Sequence, residues 1–152
     1  METVKDILAI KGSEVLSVGP DATLLHALEI MADKNVGAVL VLDAEGAIQG
    51  IFSERDFTRK IIIKGRTTET SKVGEVMTTK VLYVESGTTL SECMNLMTEK
   101  RVRHLPVLEG GKAVGIVSIG DVVKAIMRSQ ETIISRQAAE LGQLERYISG
   151  TP

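Results

Sequence analysis

A seven-residue stretch occurs twice, as GIFSERD from Gly50 to Asp56 and as GIVSIGD from Gly115 to Asp121. Around it the chain repeats itself. Setting Val18 against Val84, 66 positions apart, also matches Val15 with Val81, Leu16 with Leu82, Thr23 with Thr89, Leu24 with Leu90, Met31 with Met97, Lys34 with Lys100, Val36 with Val102 and Val41 with Val107. One deletion in a turn brings the spacing to 65, where Gly50 meets Gly115, Ser53 meets Ser118 and Asp56 meets Asp121. Agreement at strands, helix faces and capping positions together marks an internal duplication. Two units are too few for a solenoid, so they are expected to pack on each other with approximate two-fold symmetry.

Periodicity predicts the elements within each unit. Met1 to Lys11 is a lead-in segment with Val4, Ile7 and Leu8 at helical spacing, and it recurs at Val73 to Met77. Val15 to Val18 reads as a short strand that Gly19-Pro20-Asp21 breaks. From Thr23 to Lys34 the apolar residues Leu24, Ala27, Leu28 and Met31 fall on one helix face. Val36 to Leu42 is apolar on both faces, which predicts a buried central strand. A turn at Asp43 to Gly46, a return strand over Ala47 to Phe52 and a helix capped by Ser53 and running to about Lys64 complete a β-α-β-β-α unit. The predicted division is 1–65 for the first repeat with its lead-in, 66–72 for a polar linker, 73–128 for the second repeat and 129–152 for a C-terminal helix and tail. The tail places Ile134, Ala138, Leu141, Leu144 and Ile148 at helical spacing, although Gly142 weakens that helix. It lies outside both repeats, so it is expected to pack on a neighbouring chain or to cover a module edge. The fold class is α/β in the broad sense, with helices and small sheets mixed (α+β).

Composition narrows the function. With 43% apolar and 25% charged residues among 152, the chain builds a globular core. A net charge of −2 and 3% aromatics, without Trp, argue against a nucleic-acid partner. Cys93 is the only cysteine, so there is no disulfide framework and no zinc-type spacing, and a reducing compartment is expected. No segment approaches the roughly 20 apolar residues of a membrane span. Glu2, Lys5 and Asp6 do not resemble a basic-then-apolar leader. These features predict a soluble cytoplasmic protein with no membrane partner.

Nothing in the sequence assembles a catalytic constellation. HExxH and CxxC are missing, and Gly111-Lys112-Ala113 lacks the upstream Gly and the Ser or Thr of a Walker loop. His26 falls on the polar face of its helix, Cys93 matches Ala27 on a core face, and Met31, Met94 and Met97 share those core faces. The chain is therefore expected not to be an enzyme. Ser53 with Asp56, and Ser118 with Asp121, have the spacing of a capping box worth about 1 kcal/mol each. The same arrangement puts free N–H groups and a carboxylate at a helix N-terminus, where a sugar-phosphate binds. Gly50 and Gly115 would let another group approach the return strand closely.

The element order, the lead-in segments at Val4 and Val73, the Arg103-His-Leu-Pro-Val107 strand start and the two Gly-Ile-x-Ser-x-x-Asp motifs resemble a tandem pair of CBS (cystathionine-β-synthase type) domains, from about Val4 to Arg128. The resemblance implies a stand-alone module that binds AMP, ADP, ATP, NAD(H) or S-adenosylmethionine in two clefts between the repeats and forms a homodimer. It implies that Asp56 and Asp121 hold the riboses, with Ser53 and Ser118 beside them. The Asp56 cleft would be completed by Leu82, Val102, Arg103 and His104, and the Asp121 cleft by Leu16, Val36, Gly37 and Ala38. Arg103 is a fixed cation with forked donors suited to phosphate. The second cleft has no such cation, and Arg55 is expected to supply it, since Gly120 stands at the matching place in the other repeat. The reading is a regulatory nucleotide sensor acting on a separate effector protein in trans. The alternatives are a structural interaction dimer without ligand and a nucleotide-processing enzyme.

Overall fold

The computed structural model describes residues 2–149, and for residues 144–149 the backbone only. Each repeat forms a three-stranded sheet. In the first, β1 (Ser17–Val18) pairs parallel with β2 (Ala38–Leu42), which pairs antiparallel with β3 (Ile48–Ser53). In the second, β4 (Val84–Glu85), β5 (His104–Glu109) and β6 (Lys112–Ser118) repeat that order and those directions. Even the irregularity is copied: the register slips between Val41 and Leu42 and, 66 residues on, between Val107 and Leu108. The crossover helices are α2 (Leu24–Lys34) and α5 (Leu90–Lys100), each capped by a threonine hydroxyl, Thr23 or Thr89.

The lead-in helices are exchanged. Helix α1 (Val4–Lys11) puts Val4 and Ile7 into the core of the second repeat, against Leu90, Cys93, Met97, Leu105 and Val117. Helix α4 (Val73–Val76) puts Val73 and Val76 into the core of the first, against Leu24, Met31, Val39 and Phe52. The anchoring bonds correspond as well: Val4 N–H donates to Thr88 O and Val73 N–H to Ala22 O, both at 2.9 Å. Each repeat is thereby closed by the other's preceding segment. Segment 66–72 is more than a solvated linker, because Ser71 O and Thr68 O accept the first free N–H groups of α2, from Leu24 and Leu25, at 3.0 Å.

Three elements depart from the expected lengths. The first strand keeps only Ser17 and Val18 in its ladder. The helix after Ser53 makes one α turn, α3 (Glu54–Asp56), and then widens to a π-helix over Phe57–Ile62, which seats Ile61 in the core. At the other end, the closing helix of the second repeat and the tail helix are one continuous helix, α6 (Ile119–Ser149). No proline interrupts residues 119–149, and Thr132 bonds back to Arg128 O at 3.0 Å, as mid-helix threonines do. Ile134, Ala138 and Leu141 of the tail are exposed, while the side chains of Leu144 and Ile148 fall outside the described residues.

Candidate functional site

Ser53 and Ser118 are the N-caps the spacing predicted. Ser53 N–H donates to Asp56 Oδ2 at 3.0 Å and Asp56 N–H to Ser53 Oγ at 3.4 Å. In the second repeat Ser118 N–H donates to Asp121 Oδ2 at 2.8 Å and Asp121 N–H to Ser118 Oγ at 3.1 Å. Each helix start is braced from the residue just before the neighbouring strand, Glu54 N–H donating to Gly37 O and Ile119 N–H to Arg103 O, at 3.1 and 2.8 Å. The glycines that open the two motifs admit the exchanged lead-in segments. A Cβ on Gly50 would stand 2.7 Å from Met77 Sδ, and one on Gly115 would stand 2.8 Å from Leu8 Cδ2.

Beyond the caps the two carboxylates differ. Asp56 is 8% exposed and accepts four bonds. Its Oδ2 takes the Ser53 N–H and hydroxyl, while Oδ1 takes Thr78 Oγ1 at 2.9 Å and Lys60 Nζ at 3.1 Å. Lys60 also donates to Val76 O at 2.8 Å, which ties it to α4. Asp121 takes Lys11 Nζ of α1 at 2.7 Å, and Lys11 donates also to Ile116 O at 2.8 Å. Burial pushes the Asp121 carboxyl upward, but the bonds from Lys11 and Ser118 outweigh it and hold the acid below its ordinary value.

Between the repeats lies a cleft of about 1060 Å³. From the first repeat its wall takes Val36, Gly37, Ser53, Arg55 and Asp56, and from the second Leu82, Val102, Arg103, His104 and Ser118. The residues assigned to the Asp56 cleft therefore do converge. Of the residues assigned to the Asp121 cleft, Val36, Gly37 and Ser118 line this same wall instead, and Leu16, Ala38 and Asp121 lie outside it. Arg55 is placed otherwise than expected: it lines the Asp56 cleft, and its Nη1 donates to Arg101 O at 2.7 Å, satisfying a carbonyl at the left-handed end of α5. The cation beside Asp121 is Lys11 instead.

The cleft wall is basic. Arg55, Arg59, Lys60, Lys80, Arg101 and Arg103 line it against two acids, Glu54 and Asp56. The exposed Arg103 makes no ion pair among the described residues, so its guanidinium is available to an anion. Beside it, burial holds the His104 imidazole below its ordinary range, Lys11 and Arg103 reinforce that, and Glu54 and Asp121 oppose it, which keeps the ring neutral near pH 7. His104 packs against Gly37, whose added Cβ would meet Cε1 and Nε2 at 3.1 Å. His26 is exposed, and Cys93 is buried with its thiol pushed up to about 11 by burial and by Glu92.

Several polar residues escaped the sequence reading, Glu54, Arg59 and Arg101 of the cleft wall among them. Lys60 was legible, since i, i+4 spacing from Asp56 puts it on the carboxylate's face. Lys11 and Lys80 were legible as a pair, because aligning Val4 with Val73 also aligns them. Thr78 carried no such signal, for Ala9 stands at the matching position.

A family model for the CBS domain matches residues 4–63 and again residues 73–128. The chain belongs to the CBS domain family. Among relatives of this CBS pair, the mitochondrial CBS domain-containing protein CBSX3 of Arabidopsis thaliana is 37% identical across 97% of the chain and 72% of its own length. The crystal structure of the CBS-domain containing protein ATU1752 from Agrobacterium tumefaciens superposes with a TM-score of 0.78 at 41% identity, over 82% of this chain and 98% of that one. The CBS domain pair of protein MJ0100, solved in complex with 5′-methylthioadenosine and S-adenosyl-L-methionine, shares the fold at a TM-score of 0.73 and 21% identity, over 85% of this chain and 98% of that one. Two tandem CBS repeats with stand-alone structural relatives make this a CBS pair module. Among the described residues no helix is long and apolar enough to cross a membrane.

Proposed function

We propose that this CBS pair is a regulatory sensor that binds an adenosine-containing ligand in the cleft between its repeats and passes the state of occupancy to a separate effector protein. The observation that carries the reading is the convergence of Asp56 from one repeat with Leu82, Val102 and Arg103 from the other on one basic cleft. A carboxylate suits the two hydroxyls of a ribose, the apolar residues suit a purine face, and the cations suit phosphate. MJ0100 taking methylthioadenosine and S-adenosylmethionine supports the adenosyl class. The six basic side chains favour ligands that carry phosphate, AMP, ADP, ATP or NAD(H), over S-adenosylmethionine.

Binding must disturb the resting bonds of Asp56, because its four acceptor positions are filled. Lys60 keeps Val76 O when it leaves, and Thr78 is held by its backbone pair with Ile51, so either donor can yield Oδ1 without unfolding its own element. That coupling between the cleft and α4 is the route by which occupancy reaches the rest of the fold. A ligand shifts such an equilibrium only through unequal affinity for the two arrangements.

The same saturated carboxylate is what favours the second reading, a structural dimer module whose capping boxes bind nothing. Mass spectrometry of small molecules released from the purified protein, with thermal shifts in AMP, ATP, NAD and S-adenosylmethionine, separates the two. A ligand at 100 times its dissociation constant adds about 2.7 kcal/mol. A shift that Asp56→Asn abolishes supports the sensor, and no shift with any of these compounds supports the structural module. The reading includes no catalysis, so nucleotide incubated with the protein should be recovered intact. Homodimerisation belongs to the proposal too, and the exposed Ile119, Val123, Met127, Ile134 and Leu141 of α6 are apolar surface on which a second copy can pack. The single buried thiol fits a reducing compartment such as the cytoplasm.

A further inference from the structure

The lysines that match at the lead-in segments, Lys11 and Lys80, end in different places. Helix α4 stops at Val76, and the chain then runs extended so that Thr78 pairs with Ile51 of β3, which leaves Lys80 exposed on the wall of the Asp56 cleft. Helix α1 continues to its eighth residue, and its last side chain, Lys11, reaches across to the other repeat's motif. There the ammonium sits 2.7 Å from Asp121 Oδ2 and 2.8 Å from Ile116 O, the carboxylate and the strand carbonyl of the second Gly-Ile-x-Ser-x-x-Asp copy. With Ser118 N–H on the same oxygen at 2.8 Å, Asp121 Oδ2 is fully engaged.

The contrast with Asp56 is one of direction. Its lysine, Lys60, comes from its own helix and is drawn toward Val76, and Asp56 still lines the large cleft. Lys11 arrives from the exchanged helix and lies on an acid that does not line it. Resting on the adenosyl reading above, we propose that Lys11 is an internal cation that occupies the Asp121 carboxylate in place of a ribose diol, so that the chain takes one adenosyl ligand, at Asp56, and its second cleft opens only when Lys11 leaves. The duplication then yields one ligand site and one latched copy. The difference lies in how far each lead-in helix extends.

Calorimetric titration of the full chain with AMP tests this. The native protein should take one AMP per chain, lost in Asp56→Asn and kept in Asp121→Asn. Lys11→Met, which retains the aliphatic stem, should take two, the added site binding at least tenfold tighter than any second event in the native chain. Lys11→Arg keeps a cation at the latch and should stay at one. Val4 and Ile7 hold α1 in the core independently of the lysine, and a melting temperature near the native one checks that Lys11→Met is folded. Two equal AMP sites in the native chain, a single site lost in Asp121→Asn, or a folded Lys11→Met that still takes one would each overturn the latch while leaving the sensor reading intact. No AMP uptake by native or variant protein would overturn the sensor reading itself.

Discussion

A methyl group on Gly50 would stand 2.8 Å from the carbonyl oxygen of Thr78, the residue whose hydroxyl holds Asp56. At the matching Gly115 the obstruction is a side-chain end, Leu8 Cδ2, also at 2.8 Å. A leucine terminus can rotate, whereas the Thr78 backbone is fixed by two bonds with Ile51, its carbonyl accepting from Ile51 N–H and its N–H donating to Ile51 O. Gly50→Ala should therefore cost about 1 to 3 kcal/mol, and Gly115→Ala clearly less, as read from urea midpoints. Equal costs would contradict this account of the two contacts.

Asp56 is a nearly buried acid with four donors on it, so its removal strands those donors as well as a cap. Asp56→Asn should lower stability by about 1 to 3 kcal/mol, and Thr78→Val by about 1 kcal/mol. Only the first should abolish an adenosyl-dependent thermal shift.

Arg103, on the cleft wall and without an ion pair among the described residues, is placed for the role of a phosphate clamp. A charge-assisted bond of about 1.5 to 3 kcal/mol predicts at least a tenfold loss of AMP affinity in Arg103→Ala. Adenosine, which lacks the phosphate, should bind native and variant alike. Calorimetry at two salt concentrations should show a shallower salt dependence for the variant.

Cys93 has its thiol raised from 9.0 to about 11. A raised value means the neutral thiol is favoured in the fold, so its contribution is complete below pH 9 and is lost as pH rises through about 11. Stability of the native chain should fall more steeply over that window than that of Cys93→Ala. At pH 8 the native thiol should resist iodoacetamide, and urea should expose it.

Asp121 has its value lowered from 3.8. A depressed acid stabilises above its unfolded value and loses that contribution as pH falls through the folded one. The deficit of Lys11→Met should thus be full at pH 7 and begin to fade as pH falls below about 3.8 toward the lower folded value. Both partners are partly exposed, so the deficit should be under about 1 kcal/mol.

The resemblance to CBS pairs implied the convergence of Asp56 with Leu82, Val102 and Arg103, whereas the duplication, the Ser-to-Asp caps and the β-α-β-β-α order were readable from spacing and motif. They depend on local chemistry: a helix start needs its cap wherever it lies, and apolar period reveals which face is buried. The destination of the lead-in helices was not readable. Val4 and Ile7 announce an apolar face, but two repeats with matching cores offer it two equivalent places, and only chain path and the Thr88 and Ala22 carbonyls choose between them. That choice carries Lys11 to Asp121 and Thr78 to Asp56, and a cap vacancy at α5 draws Arg55 into the first cleft. Long side chains answer to whatever the fold brings within reach, so sequence determined which acids match and set Lys60 one helical turn from Asp56, while tertiary packing decided that Lys11 sits on Asp121.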